Sequence, residues 1–212
     1  MKDLTVAAFR KSVDECISRK VDFLLIAGDL FNTALPQIDL IKDVAAELKR
    51  LKDADIAVYI IAGSHDFSPS RKTMLEVLEK AGLCGNVMRV ENEKLQFTTD
   101  DKTGAKITGI LGRGCGLERE DYEKIAMRHL ESEQGFKIFM FHTALEEFKP
   151  ADMANMEAQS VSTLPANFHY YAGGHVHYIF DKAIGNGVLT YPGALFPNNF
   201  KELEEFKCGG MY

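Results

Sequence analysis

An α/β fold is predicted, in a single domain over residues 1–212. Three observations carry it. Residues 21–27 and 56–62 are short and almost wholly apolar, the pattern of strands buried on both faces. The segments around them repeat their apolar residues at intervals of three and four, the pattern of amphipathic helices. A polar cluster follows each apolar strand, Gly28-Asp29 in one case and Gly63-Ser64-His65-Asp66 in the other. Open α/β sheets place their ligands at the carboxyl ends of strands.

The elements follow in order. Val6, Phe9, Val13, Cys16 and Ile17 give one apolar face to a helix running from Thr5 to about Arg19. The strand over 21–27 comes next and ends in Gly28-Asp29-Leu30-Phe31-Asn32. Pro36 suits the first turn of a second helix, striped by Ile38, Ile41, Val44, Ala45, Leu48 and Leu51. After the strand over 56–62, Ser70 is placed to cap a third helix, with Met74, Leu75, Val77, Leu78 and Ala81 apolar and Gly82 as its stop. Residues 87–91, 95–99 and 107–111 read as short strands, with turn chemistry at 100–104. A helix over 118–132 and a strand over 136–141 ending in His142 come next. Residues 169–172 lead into Gly173-Gly174-His175-Val176-His177. Residues 178–184 and 188–191 form a hairpin about Gly185-Asn186-Gly187, because Asn-Gly tolerates the positive φ of a tight turn.

Composition narrows the function. Hydrophobic residues at 46% and charged residues at 26% suit a packed core and not a disordered chain. The longest apolar runs are strand-sized, far below a spanning helix, and no apolar leader follows Met1-Lys2-Asp3. A cytoplasmic location with no membrane partner is therefore expected. A net charge of −6 argues against nucleic-acid binding by bulk positive charge. It leaves room for a nucleic-acid enzyme, because carboxylates that hold divalent cations count as negative in this tally. Cys16, Cys84, Cys115 and Cys208 are far apart and read as reduced thiols, not as a disulfide frame or zinc knuckle.

Four of the six histidines, His65, His142, His175 and His177, fall at the ends of apolar strands, alongside Asp29. One strand-end Asp is ordinary turn chemistry, and one His is ordinarily a hydrogen-bonded structural residue. Four together point to divalent cations, whose usual mixed ligands are neutral imidazole and carboxylate. In a loop after two glycines, His175 and His177 can diverge towards two neighbouring metals.

These motifs, Gly28-Asp29, Gly63-Ser64-His65-Asp66, His142 and Gly174-His175-Val176-His177, together resemble the ordered signature of the calcineurin-like metallophosphoesterases. Residues 21–31, Tyr191-Pro192-Gly193-Ala194-Leu195-Phe196 and Glu202-Leu203-Glu204 resemble more closely the SbcD-type nuclease subunit of the DNA double-strand-break repair nuclease–ATPase complex. The resemblance implies a β-sandwich flanked by helices and a phosphodiesterase that hydrolyses DNA. It implies two divalent metal ions, with manganese (Mn²⁺) expected and iron or zinc as alternatives, since His-rich ligation suits these better than Mg²⁺. Asp29 would bridge the metals, His142 and His175 would bind the second and His177 the first. His65 would be the general acid or transition-state stabiliser, with Asp66 orienting it. DNA, a second copy of the chain and an SMC-like ATPase are the implied partners, with the helices over 36–52 and 70–81 as candidates for self-association.

Three positions depart from the family pattern. The sequence holds no D-x-H motif like that of the family's first strand, so that strand is expected to be lacking and the first-metal site incomplete in this chain. Ser64 stands where a metal-binding Asn is expected, and a hydroxyl binds through water or not at all. Asn32 stands where Asp or His is usual and is a candidate phosphate contact. The run Cys208-Gly209-Gly210-Met211-Tyr212 resembles the start of a further strand, so the domain is expected to be cut at both ends. Two other functions remain in view: a phosphoesterase on small nucleotides or phosphomonoesters, and an interaction module impaired by the absent motif. Gly109, Gly112, Gly114 and Gly116 fail the dinucleotide fingerprint and read as a flexible turn. His129 reads as a surface residue and His169 as a packing residue near the His175 pair. Lys49-Arg50-Leu51-Lys52 reads as a solvated face, and Arg71, at a helix start, as a candidate phosphate contact.

Overall fold

The computed structural model describes residues 2–66, 73–113, 122–150, 156–197, 199–207 and 209–212. Helices α1 (Lys2–Arg19) and α2 (Ile38–Asp53) bracket strand β1 (Phe23–Ala27), and strand β2 (Ala57–Ile61) and helix α3 (Met74–Lys80) follow. β1 and β2 run parallel, with Phe23 opposite Ala57 and Ala27 opposite Ile61. The two-residue strand β3 (Gly85–Asn86) pairs parallel to the other side of β2.

The rest of the chain builds a second sheet. Strands β4 (Arg89–Glu91) and β5 (Lys94–Gln96) form a hairpin of their own. Strands β6 (Thr98–Thr99), β7 (Lys106–Ile110), β8 (Lys137–His142), β9 (Tyr170–Gly174), β10 (Ile179–Ile184) and β11 (Gly187–Pro192) form a six-stranded sheet in the order β10-β11-β9-β8-β7-β6. β7, β8, β9 and β11 are parallel, and the two edge strands are antiparallel to them.

Alternation along the strands explains the layering, because side chains two apart share a face. Leu24 and Ile26 of β1, with Val58 and Ile60 of β2, pack against Val13, Cys16, Val44, Leu48 and Leu51 of α1 and α2. Their neighbours Leu25, Tyr59 and Ile61 face the other way and meet Ile107, Ile138, Met140 and Ala172 of the second sheet. On the far side of that sheet Phe139, Phe141, Tyr171, Leu189 and Tyr191 are buried beneath Leu130, Leu164 and Phe168. The fold is a mixed α/β sandwich with helices on one side, as expected. No helix among the described residues is long and apolar enough to cross a membrane.

Some elements differ from the sequence reading. Pro36 stands ahead of α2, whose N-cap is Gln37. Thr73 is the N-cap of α3, and Ser70 lies outside the described residues, as does Arg71. The helix over 118–132 is broken in its described part. The Ala126 N–H donates to the Glu93 carbonyl, and the Ala126 carbonyl accepts from Leu95 N–H, so these groups serve a bridge to β5 and not a helix. Only a 3-10 turn, Arg128–Ser132, remains after it. The segment over 95–99 is divided between β5 and β6. Helix α4 (Phe200–Phe206) was not expected; the Asn199 side chain caps it by accepting from Glu202 N–H at 2.9 Å.

Candidate metal centre

The carboxyl ends of β1, β2, β8 and β9 meet along one rim, and Asp29, His65, His142 and His175 sit there. Asp29 follows β1 with a left-handed backbone, φ 52°, a conformation Asp adopts more readily than most residues. Its Oδ1 accepts the backbone N–H of His65 at 2.9 Å. Its Oδ2 lies 3.2 Å from His142 Nε2 and 4.0 Å from His65 Nε2. Burial pushes the Asp29 carboxyl up, but His142 and the His65 amide and ring outweigh it, and the carboxyl falls below its ordinary range.

His142 ends β8, and its side chain is 2% exposed. Its Nδ1 is 2.7 Å from the Ala27 carbonyl oxygen. A carbonyl only accepts, so Nδ1 carries a proton; in the charged ring Nε2 holds a second one, which faces Asp29 and draws its carboxyl down, and in the neutral ring Nε2 is left with a lone pair. That buried Nε2 has no hydrogen-bond partner, yet it stands against an Asp29 oxygen. In the neutral ring the two atoms are electron-rich and aimed at one another, and a cation between them would take the place of the shared proton.

His175 lies just past β9 with φ 82°, its ring in T-shaped contact with that of His142 at a centroid distance of 5.2 Å. The packing around it, then His142, His177 and His65, lower its pKa to about 4 even though the residue is exposed at the rim, so the ring is neutral and available as a donor. Val176 turns into the core at 3% exposure and leaves its two flanking histidines outside. His177 Nδ1 is 2.9 Å from Glu202 Oε1. Ser64 is half-buried beside the rim, and Asn32 is exposed.

Asp66 has a different surrounding from the one implied. It is 1% exposed, and its carboxylate accepts three backbone N–H groups: Leu30 at 3.2 Å, Phe31 at 3.0 Å and Gly63 at 3.1 Å. Its hydrogen bonds among the described residues hold the two strand-end loops together and none goes to the His65 ring. His169 is likewise committed elsewhere: its Nδ1 accepts Lys137 N–H at 3.1 Å and its ring stacks on Phe136. His129 is exposed and bonded through Nε2 to the Leu95 carbonyl at 3.0 Å.

Close approach at this rim requires glycine. A Cβ on Gly174 would lie 1.9 Å from the Ala27 carbonyl oxygen, the group that orients His142. Gly112, read from the sequence as part of a flexible turn, is fixed: its N–H donates to the Ala62 carbonyl at 2.9 Å, and a Cβ there would lie 2.4 Å from His142 Cδ2. Reasoning on motifs missed Gly112 and the role of Glu202, because both act through residues distant in the chain.

Among the described residues, no three His, Cys, Asp or Glu side chains are drawn close enough to form a ready-made metal cage. The Asp29–His142 pair is the assembled part, and with His175 its donor set suits one divalent ion. A second ion would have Asp29 and His177.

A crystal structure of TT1561 from Thermus thermophilus has the same fold, with a TM-score of 0.60 at 19% identity, covering 92% of this chain and 86% of that one. The chain is 29% identical over 209 residues to the DNA double-strand break repair protein Mre11 of Methanococcus maripaludis, covering 96% of this chain and 54% of the relative. It is 26% identical over 202 residues to the uncharacterized metallophosphoesterase YhaO of Bacillus subtilis, covering 95% of this chain and 48% of that protein. The chain thus spans about half the length of these curated relatives. The calcineurin-like phosphoesterase profile matches residues 5–178. That span contains all four strand ends that meet at the rim, and the chain belongs to the calcineurin-like phosphoesterase family.

Proposed function

We infer that this chain carries the catalytic face of a metal-dependent phosphodiesterase that hydrolyses DNA in double-strand-break repair. The observation that supports it most is the Asp29–His142 pair, two donors aimed at one point with the His65 ring beside them. Asp29, His142 and His175 would hold one divalent ion, and His177 with Asp29 a second. Bound there, such ions supply an activated water and neutralise charge on the phosphoryl oxygens. The chain's own groups do the rest. The His65 backbone amide fixes Asp29, while 59% of the His65 side chain stays open to solvent, placed to give a proton to a leaving oxygen. Asp66 holds the loops that carry both residues.

The open rim favours a long substrate, because His65 and His175 are exposed and a phosphate within a polymer can approach them. Relatives described as DNA double-strand break repair proteins support DNA as that polymer. Mn²⁺, an SMC-like ATPase partner and pairing with a second copy through α2 and α3 belong to the same reading. Phosphoester hydrolysis on small nucleotides is the second reading, favoured by the relative known only as a metallophosphoesterase.

The test compares cleavage of a labelled DNA duplex with that of bis(p-nitrophenyl) phosphate, both with Mn²⁺. The DNA should be preferred, and His65→Ala should lower its cleavage about 10²–10⁴-fold with an unchanged circular-dichroism spectrum. Full activity in His65→Ala overturns the assigned chemistry, and preference for the small diester overturns the substrate. Failure to cleave either is the outcome for a pairing module.

A further inference from the structure

His177 is held by a carboxylate that lies outside the family-matched span. Its Nδ1 is 2.9 Å from Oε1 of Glu202, in the first turn of α4. An ionised carboxylate only accepts, so this contact puts the His177 proton on Nδ1 and leaves the Nε2 lone pair free. Glu202 is itself fixed twice by one residue. Asn199 Nδ2 donates to the same Oε1 at 2.7 Å, and Asn199 Oδ1 accepts the Glu202 N–H at 2.9 Å. The Glu202 side chain is 14% exposed, a well-covered place for a carboxylate on an otherwise charged helix. His142 shows the same device built from another part, with the Ala27 carbonyl in place of the carboxylate. Both rings therefore present Nε2 as the free nitrogen.

We propose that Glu202 is a positioning residue for His177: it fixes the Nδ1-protonated tautomer and the ring direction so that Nε2 is the metal donor, with Asn199 holding the carboxylate in place. The proposal rests on His177 being a metal donor, as in the function proposed above. It gives α4 a purpose that its exposed Phe200 and Leu203 do not. Asn199 and Glu202 close the first turn of this helix on each other, and Glu202 carries that order to the rim.

The experiment reads the metal-free protein first. Long-range ¹H–¹⁵N correlation spectra at mildly alkaline pH report which imidazole nitrogen carries the proton, with His177→Gln assigning the signal. The intact chain should show His177 protonated on Nδ1. Glu202→Ala should move the proton to Nε2, the form that free histidine side chains prefer in water, and Glu202→Gln, which keeps an acceptor oxygen, should restore Nδ1. Calorimetric titration with Mn²⁺ should then show affinity falling about 10–100-fold in Glu202→Ala and recovering in Glu202→Gln. An intact chain protonated on Nε2, or a Glu202→Ala protein still protonated on Nδ1, overturns the positioning. A tautomer change with unchanged Mn²⁺ affinity overturns instead the reading of His177 as a donor.

Discussion

Asp66 carries a carboxylate where almost no solvent reaches, and its partners are backbone amides. Burial pushes its pKa up, the amides of Gly63, Phe31 and Leu30 pull it down, and the Asp29 charge adds to the rise; the balance is upward. The ionised form therefore costs stability at neutral pH, and the residue is retained for geometry. Three N–H groups from two loops need two acceptor oxygens, and an amide side chain offers only one. Asp66→Asn should strand at least one buried amide and lower stability by about 1–3 kcal/mol, measured by urea unfolding. An unchanged midpoint would mean the amides find other acceptors and the loop clamp is not Asp66. Since the His65 amide is tied to Asp29, loosening this clamp should also move the proposed acid relative to the proposed metal ligand.

At the scale of elements, α1 and α2 are joined by more than their apolar stripes. Glu47 of α2 is 4% exposed and pairs with Arg10 of α1 and with Arg50, and Arg50 reaches on to Asp14 of α1. Arg50, read from sequence as part of a solvated face, is thus a bridge between helices. Burial pushes the Glu47 carboxyl up, but Arg10 and Arg50 outweigh it, and its pKa lies below the ordinary 4.5. A carboxyl with a depressed folded pKa contributes stability that is present above the unfolded value and lost as the pH falls through the folded one. In an Arg10→Gln/Arg50→Gln protein only burial remains, and the sign reverses. The double variant should be less stable at neutral pH, and the gap to the original chain should narrow as the pH falls below about 4. Urea midpoints across that range check it; a pH-independent gap would place the loss elsewhere. The same pair of helices shows what a sequence makes legible. Their stripes, and the strands over 21–27 and 56–62, were readable because periodicity is local. Asp29, His65, His142, His175 and His177 were readable because strand ends do not need imidazole. The broken helix near Ala126, the clamp at Asp66, the fixed Gly112 and the whole of α4 were not. Each depends on a backbone group or side chain brought from far along the chain, as Glu93 meets Ala126 and Glu202 meets His177.

Across the whole molecule, the candidate metal centre lies on the seam between the two sheets. Asp29 hangs from the three-stranded sheet, and His142 and His175 hang from the six-stranded one. Two contacts already stitch that rim: His142 Nδ1 to the Ala27 carbonyl, and Gly112 N–H to the Ala62 carbonyl. A cation shared by Asp29 and His142 would add a link that exists only while the sheets face each other, and the unfolded chain has no equivalent site. Binding to the folded state alone stabilises by mass action, about 2.7 kcal/mol when free ion is at 100 times its dissociation constant. A domain of this length shifts its melting midpoint by about 2–4 °C per kcal/mol, which puts the expected rise at roughly 5–10 °C. Thermal melts with Mn²⁺ and then with chelator should show the rise and its reversal. His142→Ala removes the buried Nε2 that has no hydrogen-bond partner, so the rise in midpoint with Mn²⁺ should shrink to what Asp29 and His177 alone can hold, whatever the substitution costs in packing. A His142→Ala protein that Mn²⁺ stabilises as much as the original chain would place the ion elsewhere and sink the idea that the metal ties the two sheets together.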